Sequence, residues 1–395
     1  MLGRLFYVFT GVHSFLIGLF PFYIPVYLYT IGLTLSEICL FIAATGIGYC
    51  LTLFFWDRIC RKIFFSTLIV WSFFSEYLLL SFFFIETESL LVVLAGLVNG
   101  IFNCSFWTIQ RLLFVKSISQ ENSGRNFGNS QLFVLVVLKV GILLGGYFLE
   151  HWGFWILYLF SGAIVLLSVT YFSSRGMAAH TTEAIQRSQP LRISAVFRFK
   201  DMFHSRWVFI IDGVFLYLES YFWVISLFII VRESFLKLSL VVIMLAVIFG
   251  VIFLFFKNSI DRLPRQKVYI AAVTLYAFSW WMRGFLNENI APVNMLWLLT
   301  LIASCTSVFR LSFNKRFFDN AKLTIAHEYI FMKSYISQFF IGVFFVVMAC
   351  GFSIPGSVAD QLSGLYHFAA ITSFFYLVYR TRDTPRSNEV EINSR

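Results

Sequence analysis

Twelve stretches of this chain run with hardly a charge in them, each close to the ~20 residues that cross a bilayer core as a helix. They fall approximately at 5–31, 36–56, 63–85, 90–111, 127–149 and 153–172, then at 207–231, 236–257, 268–287, 292–313, 327–350 and 362–380. No soluble core needs so many. Composition agrees, with 59% hydrophobic and 13% charged residues among 395, where soluble domains carry roughly 45–50% and about 25%. The fold class is therefore all-α and polytopic, with twelve transmembrane helices. The first stretch is read as a span and not a signal peptide, since it is too long and carries Pro21 and Pro25.

One long polar connection, 173–206, divides the chain into a bundle at 1–172 and a second at 207–380, with a tail at 381–395. The net charge of +10 is topological in origin and does not call for nucleic acid. With the N-terminus inside, only Arg232 and Lys237 fall in outer loops, and Lys139, Arg283, Arg310 and Lys333 in spans. All other Lys and Arg gather in inner segments, whereas Glu86, Glu88, Glu150, Glu233, Glu288 and Asp360 lie outside. The positive-inside rule then puts both termini in the cytoplasm. The six cysteines show no CxxC spacing, so neither a disulfide framework nor a zinc site is expected.

The two bundles repeat each other in one register. Asp57, Arg58 and Arg61 match Asp261, Arg262 and Arg265 at an offset of 204 positions. The same offset aligns Gly46 with Gly250, and Gln110-Arg111 with Asn314-Lys315. Repeated hydrophobic spans are the mark of secondary transporters, whose site lies where the repeats meet. An Asp that ends one helix, near Args that begin the next, can lock neighbouring ends through charge-assisted hydrogen bonds and helix dipoles. Such a lock is a gate if it opens in another state.

With Asp57-Arg58-Ile59-Cys60-Arg61-Lys62 between spans 2 and 3, and Asp261-Arg262-Leu263-Pro264-Arg265 in the equivalent loop, the chain resembles the major facilitator superfamily. The resemblance covers roughly residues 5–380. The stretch from Asn99-Gly100 through Phe106-Trp107 to Gly124-Arg125-Asn126 is similar to little-characterised bacterial members, which implies an inner-membrane location. Two six-helix bundles are implied, with a central cavity lined by spans 1, 4, 7 and 10 and with spans 2, 5, 8 and 11 between the halves. The glycine usual between the arginines is replaced by Cys60 and Pro264. The proline usual in span 5 of antiporters is missing. Gly141-x-x-x-Gly145-Gly146 stands there and is expected to allow close packing between the halves.

Ionisable groups in mid-span are costly and mark sites by default. His13, Glu76, Lys139 and Glu219 qualify. Asp212, Glu219, Trp223 and Ser226 keep helical spacing and are expected on one face of span 7, with Glu219, Asp212 and His13 as coupling candidates. Glu76, on a span that the resemblance makes peripheral, is set apart from the cavity. In span 4, Asn99, Asn103, Trp107 and Gln110 form a polar stripe with Arg111 beside it. Amides and an indole there can hydrogen-bond and stack on a polar solute. Thr306, Arg310 and Asn314 do the same in span 10, and Lys139 and Lys333 complete the cavity set. Asp212, Glu219 and Glu328 are positioned to neutralise the cavity cations. Arg283 and Arg232, near span ends, are expected to snorkel to the headgroups.

These features point to a secondary transporter, with the proton as its expected coupling ion, moving a small polar or amphipathic solute by alternating access. A multidrug-type efflux pump and a non-transporting receptor or scaffold on the same fold are the alternatives. The chain has no HExxH, no Gly-x-Ser-x-Gly and no Walker A sequence, so no enzyme activity is expected. No cofactor or metal is expected either, since His327-Glu328 has no ligand partners at helical spacing. Membrane lipids are the remaining partners, and the expected state is a monomer.

Overall fold

The computed structural model describes residues 2–59, 62–84, 89–117, 123–174, 193–256, 265–287, 290–323 and 326–380. Every regular element among them is helical. In hydrocarbon no water can satisfy backbone N–H and C=O groups, and a helix satisfies them within itself.

The first bundle holds α1 (Leu2–Leu19) and α2 (Ile24–Thr30), α3 (Leu35–Ile59), α4 (Phe65–Ser81), α5 (Ser89–Ser117), α6 (Ser123–His151) and α7 (Gly153–Ser174). A six-residue helix, α8 (Ile193–Arg198), stands between the bundles. The second holds α9 (Ser205–Tyr217) and α10 (Trp223–Ile230), α11 (Phe235–Phe256), α12 (Arg265–Arg283), α13 (Pro292–Lys322), α14 (Ala326–Phe352) and α15 (Val358–Thr372). Nine helical segments among the described residues are long and apolar enough to cross a membrane. Helices α11, α12 and α15 lie on the other three expected spans. The chain is an integral, multi-pass membrane protein.

Two spans are interrupted. A 3-10 turn at Pro21–Tyr23 separates α1 from α2, because Pro21 has no N–H to donate to the helix ladder. A π-turn at Leu218–Phe222 separates α9 from α10 and carries Glu219.

Small residues let helices approach. A Cβ on Gly141 or Gly145 of α6 would land on the carbonyl oxygens of Phe15 or Leu19 in α1, and one on Gly18 would meet Leu138. The sequence pattern sets the whole glycine run of α6 between the halves, yet only Gly146 looks that way, towards Ser239 and Phe235 of α11. One helix face cannot serve two neighbours, and Gly141 and Gly145 are used within the first bundle. Likewise Gly46 of α3 abuts Gln338 and Gly342 of α14, whereas a Cβ on its counterpart Gly250 would meet no atom within 4 Å among the described residues. The repeat aligns the two glycines without giving them the same neighbours.

Helices α3 and α14 pair along their lengths. Ser36 Oγ donates to the Ala349 carbonyl at 2.8 Å near one end, and the Trp56 and Phe331 rings lie 6.5 Å apart near the other. Between α6 and α11, Glu150 accepts from Ser234 Oγ (3.0 Å) and from the Phe235 N–H (2.9 Å), and Tyr23 of the 3-10 turn shares a 2.5 Å hydrogen bond with Ser239 of α11.

Candidate functional site

The π-turn adds a residue to one turn of the helix and so rotates every later side chain of that span. Asp212, before the turn, and Glu219, within it, converge on Arg310 of α13. Arg310 Nη1 donates to Asp212 Oδ1 at 2.8 Å, and its Nη2 and Nε donate to Glu219 Oε2 at 2.8 and 3.1 Å. Lys333 Nζ of α14 lies 2.8 Å from Asp212 Oδ2. Two tyrosines complete the shell: the Tyr276 hydroxyl donates to Glu219 Oε1 at 2.6 Å, and that of Tyr376 to Asp212 Oδ1 at 3.2 Å. Two carboxylates against two cations give a charge-balanced quartet, which burial requires. Access is uneven within it. The Asp212 side chain is 1% exposed, that of Glu219 19%.

Beyond the π-turn the expected face is broken. Trp223 stacks under the Arg283 guanidinium at 4.9 Å, and Ser226 shares a 2.5 Å hydrogen bond with Tyr366 of α15. The extra residue changes the register between them and Asp212, and the hydrogen bond of Ser226 and the cation on Trp223 lie outside the Arg310 cluster. Arg283 does not snorkel. It is buried, 4.1 Å over the Trp280 ring, and donates from Nη2 to Thr306 Oγ1 at 2.9 Å. Indole faces replace the headgroup as its partner. Thr306 is thus engaged by Arg283, while Asn314, one turn beyond Arg310, is exposed. Glu328 is also exposed and takes no part in the quartet.

The polar stripe of α5 reaches the same turn. Asn99 Nδ2 donates to Thr45 Oγ1 at 3.1 Å and to the Tyr221 hydroxyl at 3.3 Å, two residues from Glu219. Asn103 Nδ2 donates to Asn99 Oδ1 at 2.9 Å, so its own carbonyl oxygen is left to accept. Trp107 is 39% exposed and Gln110 half-buried. Arg111 Nη1 donates to Ser334 Oγ of α14 at 2.8 Å, a link between the bundles. Lys139 of α6 is half-buried, with no carboxylate partner among the described residues.

His13 belongs elsewhere. Its Nδ1 lies 2.7 Å from Glu76 Oε2 and its Nε2 2.9 Å from Ser72 Oγ, with the ring stacked on Phe73 at 3.9 Å. Ser72 donates its hydroxyl proton to the Ile69 carbonyl, so Nε2 is the donor to Ser72. One proton then lies between Nδ1 and Oε2, and the pair is neutral overall whichever atom holds it. Both residues are at most 1% exposed in a cage of Phe9, Phe73, Phe102 and Phe106. Replacing Glu76 with Leu should cost about 1–3 kcal/mol, because His13 loses its partner in an apolar cage. Glu76→Gln should cost less; equal thermal unfolding of the two variants would refute that role.

Of the gate residues, Asp57 is buried and Arg58 donates from Nη1 to the Phe54 carbonyl at 2.7 Å. Arg61, Asp261 and Arg262 lie outside the described residues, and Arg265 opens α12. No group of three or more His, Cys, Asp or Glu able to hold a metal occurs among the described residues. Residue typing misses Tyr276, Tyr376 and the inward turn of Arg283. The repeat holds a signal for one of them, since the 204 offset sets Ser72, which binds His13, on Tyr276, which binds Glu219.

The family model described as Major Facilitator Superfamily matches residues 6–314. No curated protein matches the sequence. Among solved structures, a mutant of the nucleoside transporter NupG superposes with a TM-score of 0.73 at 12% identity, covering 96% of this chain and 100% of that one. NupG itself gives 0.67 at 13%, covering 96% and 100%. A bacterial homologue of the iron transporter ferroportin, in an inward-facing state, gives 0.64 at 13%, covering 96% and 99%.

Proposed function

Because this chain belongs to the Major Facilitator Superfamily and is a membrane transporter, we propose that it moves a small polar or amphipathic solute by alternating access, coupled to protons through Glu219. The observation that carries the proposal is the quartet around Arg310, bridged to the α5 stripe by Asn99 and Tyr221. Polar groups from both bundles thereby meet at one turn of one helix.

Glu219 is the more accessible carboxylate of the quartet, and it holds Arg310 against the π-turn. A proton on Glu219 removes one of the two negative charges facing Arg310, so the tie between the π-turn and α13 weakens. Asp212, held by Arg310, Lys333 and Tyr376, keeps α9 anchored to α13 and α14 meanwhile. Asn103, Trp107 and Gln110 offer the solute a stacking face and hydrogen bonds from one bundle; Arg310 and Asn314 offer a cation and an amide from the other. A charge-balanced polar site favours such a solute over the hydrophobic cargo of a multidrug exporter. The division at 173–206, the rocking of the two bundles, cytoplasmic termini, a bacterial inner membrane and a monomeric state belong to the same reading.

The test is thermal stabilisation of the purified protein by nucleosides, sugars, amino acids and organic anions. Binding at a hundredfold excess over Kd stabilises by about 2.7 kcal/mol. The solute that stabilises should then enter proteoliposomes together with protons, reported by a trapped pH dye. Entry without dye response would remove the coupling, and stabilisation only by hydrophobic cations would replace the polar reading with drug efflux.

A further inference from the structure

A cavity of about 360 Å³ lies apart from the quartet, between α3, α8 and α14. Its walls are apolar, with Leu51 and Phe55 from α3, Phe197 from α8, and Ile336 and Phe339 from α14. Phe197 and Phe339 meet edge to face, with ring centroids 5.2 Å apart. Arg206, at the start of α9, is the charged group of the lining, and no acid lines the cavity among the described residues. Arg206 is half-buried, with no hydrogen bond or carboxylate among the described residues. A second cation stands beside the wall. The Arg58 guanidinium lies 3.5 Å from the ring centre of Phe54, which also lines the cavity, and it donates to a backbone carbonyl and to no acid among the described residues.

Apolar walls with two cations at the edge match a molecule that is an acyl chain at one end and an anion at the other. We propose that this groove binds an anionic phospholipid, with an acyl chain along Leu51, Phe55 and Phe339 and the phosphate at Arg206 and Arg58. A polar solute would leave its hydrogen bonds unmade against these walls, and a zwitterionic lipid brings a cation of its own to the arginines. The ligand would touch the first bundle, the short helix between the bundles and the second bundle together. Its occupancy would therefore hold α3, α8 and α14 in their present arrangement.

Native mass spectrometry of the full chain tests this, with phosphatidylglycerol and phosphatidylcholine of identical acyl chains offered in equal amounts. The wild type should retain phosphatidylglycerol over phosphatidylcholine by at least about fivefold, the effect of a single cation near a headgroup. Arg206→Gln should lower that preference by about fivefold, and Arg206→Lys should keep most of it. Leu51→Trp, which fills the groove, should reduce retention of both lipids; if it does not fold, the arginine pair still decides. Equal retention of the two lipids by the wild type would overturn the proposal, as would a preference unchanged in Arg206→Gln. Inorganic phosphate without lipid should not raise the thermal stability. If it does so as strongly as phosphatidylglycerol, the site is a plain anion site and the lipid assignment falls.

Discussion

Glu219→Gln should abolish proton-driven accumulation while leaving solute exchange across the membrane intact. Gln keeps the size of the side chain and one oxygen to accept from Arg310, but it stands permanently for the protonated acid, with the weakened tie to Arg310, and cannot take up or release a proton. A one-unit pH gradient is worth about 1.4 kcal/mol per proton, about tenfold in accumulation for a one-proton carrier. The variant should lose that tenfold entirely, measured as solute retained in proteoliposomes with and without the gradient. Counterflow of labelled against unlabelled solute should continue. Undiminished accumulation would take Glu219 out of the mechanism; loss of counterflow as well would make it a binding group and not a coupling group.

Gly145→Val is expected to be the most damaging single change in the first bundle. The new side chain would collide with the Leu19 carbonyl of α1, which is backbone and cannot rotate aside. Overpacking in a well-filled core costs about 1–3 kcal/mol or more, and here α1 and α6 must separate to relieve it. Folded yield on size-exclusion chromatography and the midpoint of thermal unfolding should both fall. Gly364→Ala, with no atom within 4 Å of its built Cβ, is the control and should unfold like the wild type. Equal behaviour of the two variants would show that the α1–α6 contact does not depend on glycine.

The spans are legible because the bilayer imposes a length and a composition that a chain cannot disguise. Their ends are less so. The 313 limit expected for span 10 is the point where charge begins, yet α13 runs on to Lys322. Hydropathy marks where lipid stops; a helix can continue into water. Span 7 shows a different limit. Periodicity assumes one constant turn, so it cannot anticipate the π-turn at Leu218–Phe222 or the change of register that it brings to Trp223 and Ser226.

All four charges of the quartet are candidates in the sequence, Glu219 as a costly mid-span acid and Asp212, Arg310 and Lys333 by their places on spans 7, 10 and 11. That acids neutralise the cations is expected there, but which acid meets which cation is not, because it depends on how α9, α13 and α14 come together. Tyr276 and Tyr376 escape notice because a neutral phenol is unexceptional in a span. Arg283 misleads for a related reason. Its place near a span end is compatible with a stem that leans out or in, and two indoles and a threonine on neighbouring helices settle the choice.

The surplus residue in the seventh span resembles a ruck in a carpet, which can travel without either edge being lifted. If it moved along by one position, Glu219 would swing by about 100° around the helix axis, the angle between consecutive residues. Such a swing is enough to carry the carboxylate out of Arg310's reach. Asp212, on the near side of the ruck, would keep its grip on the guanidinium throughout. Under the coupling proposed for Glu219, such a twist within one span presents and withdraws one acid with the helices still packed.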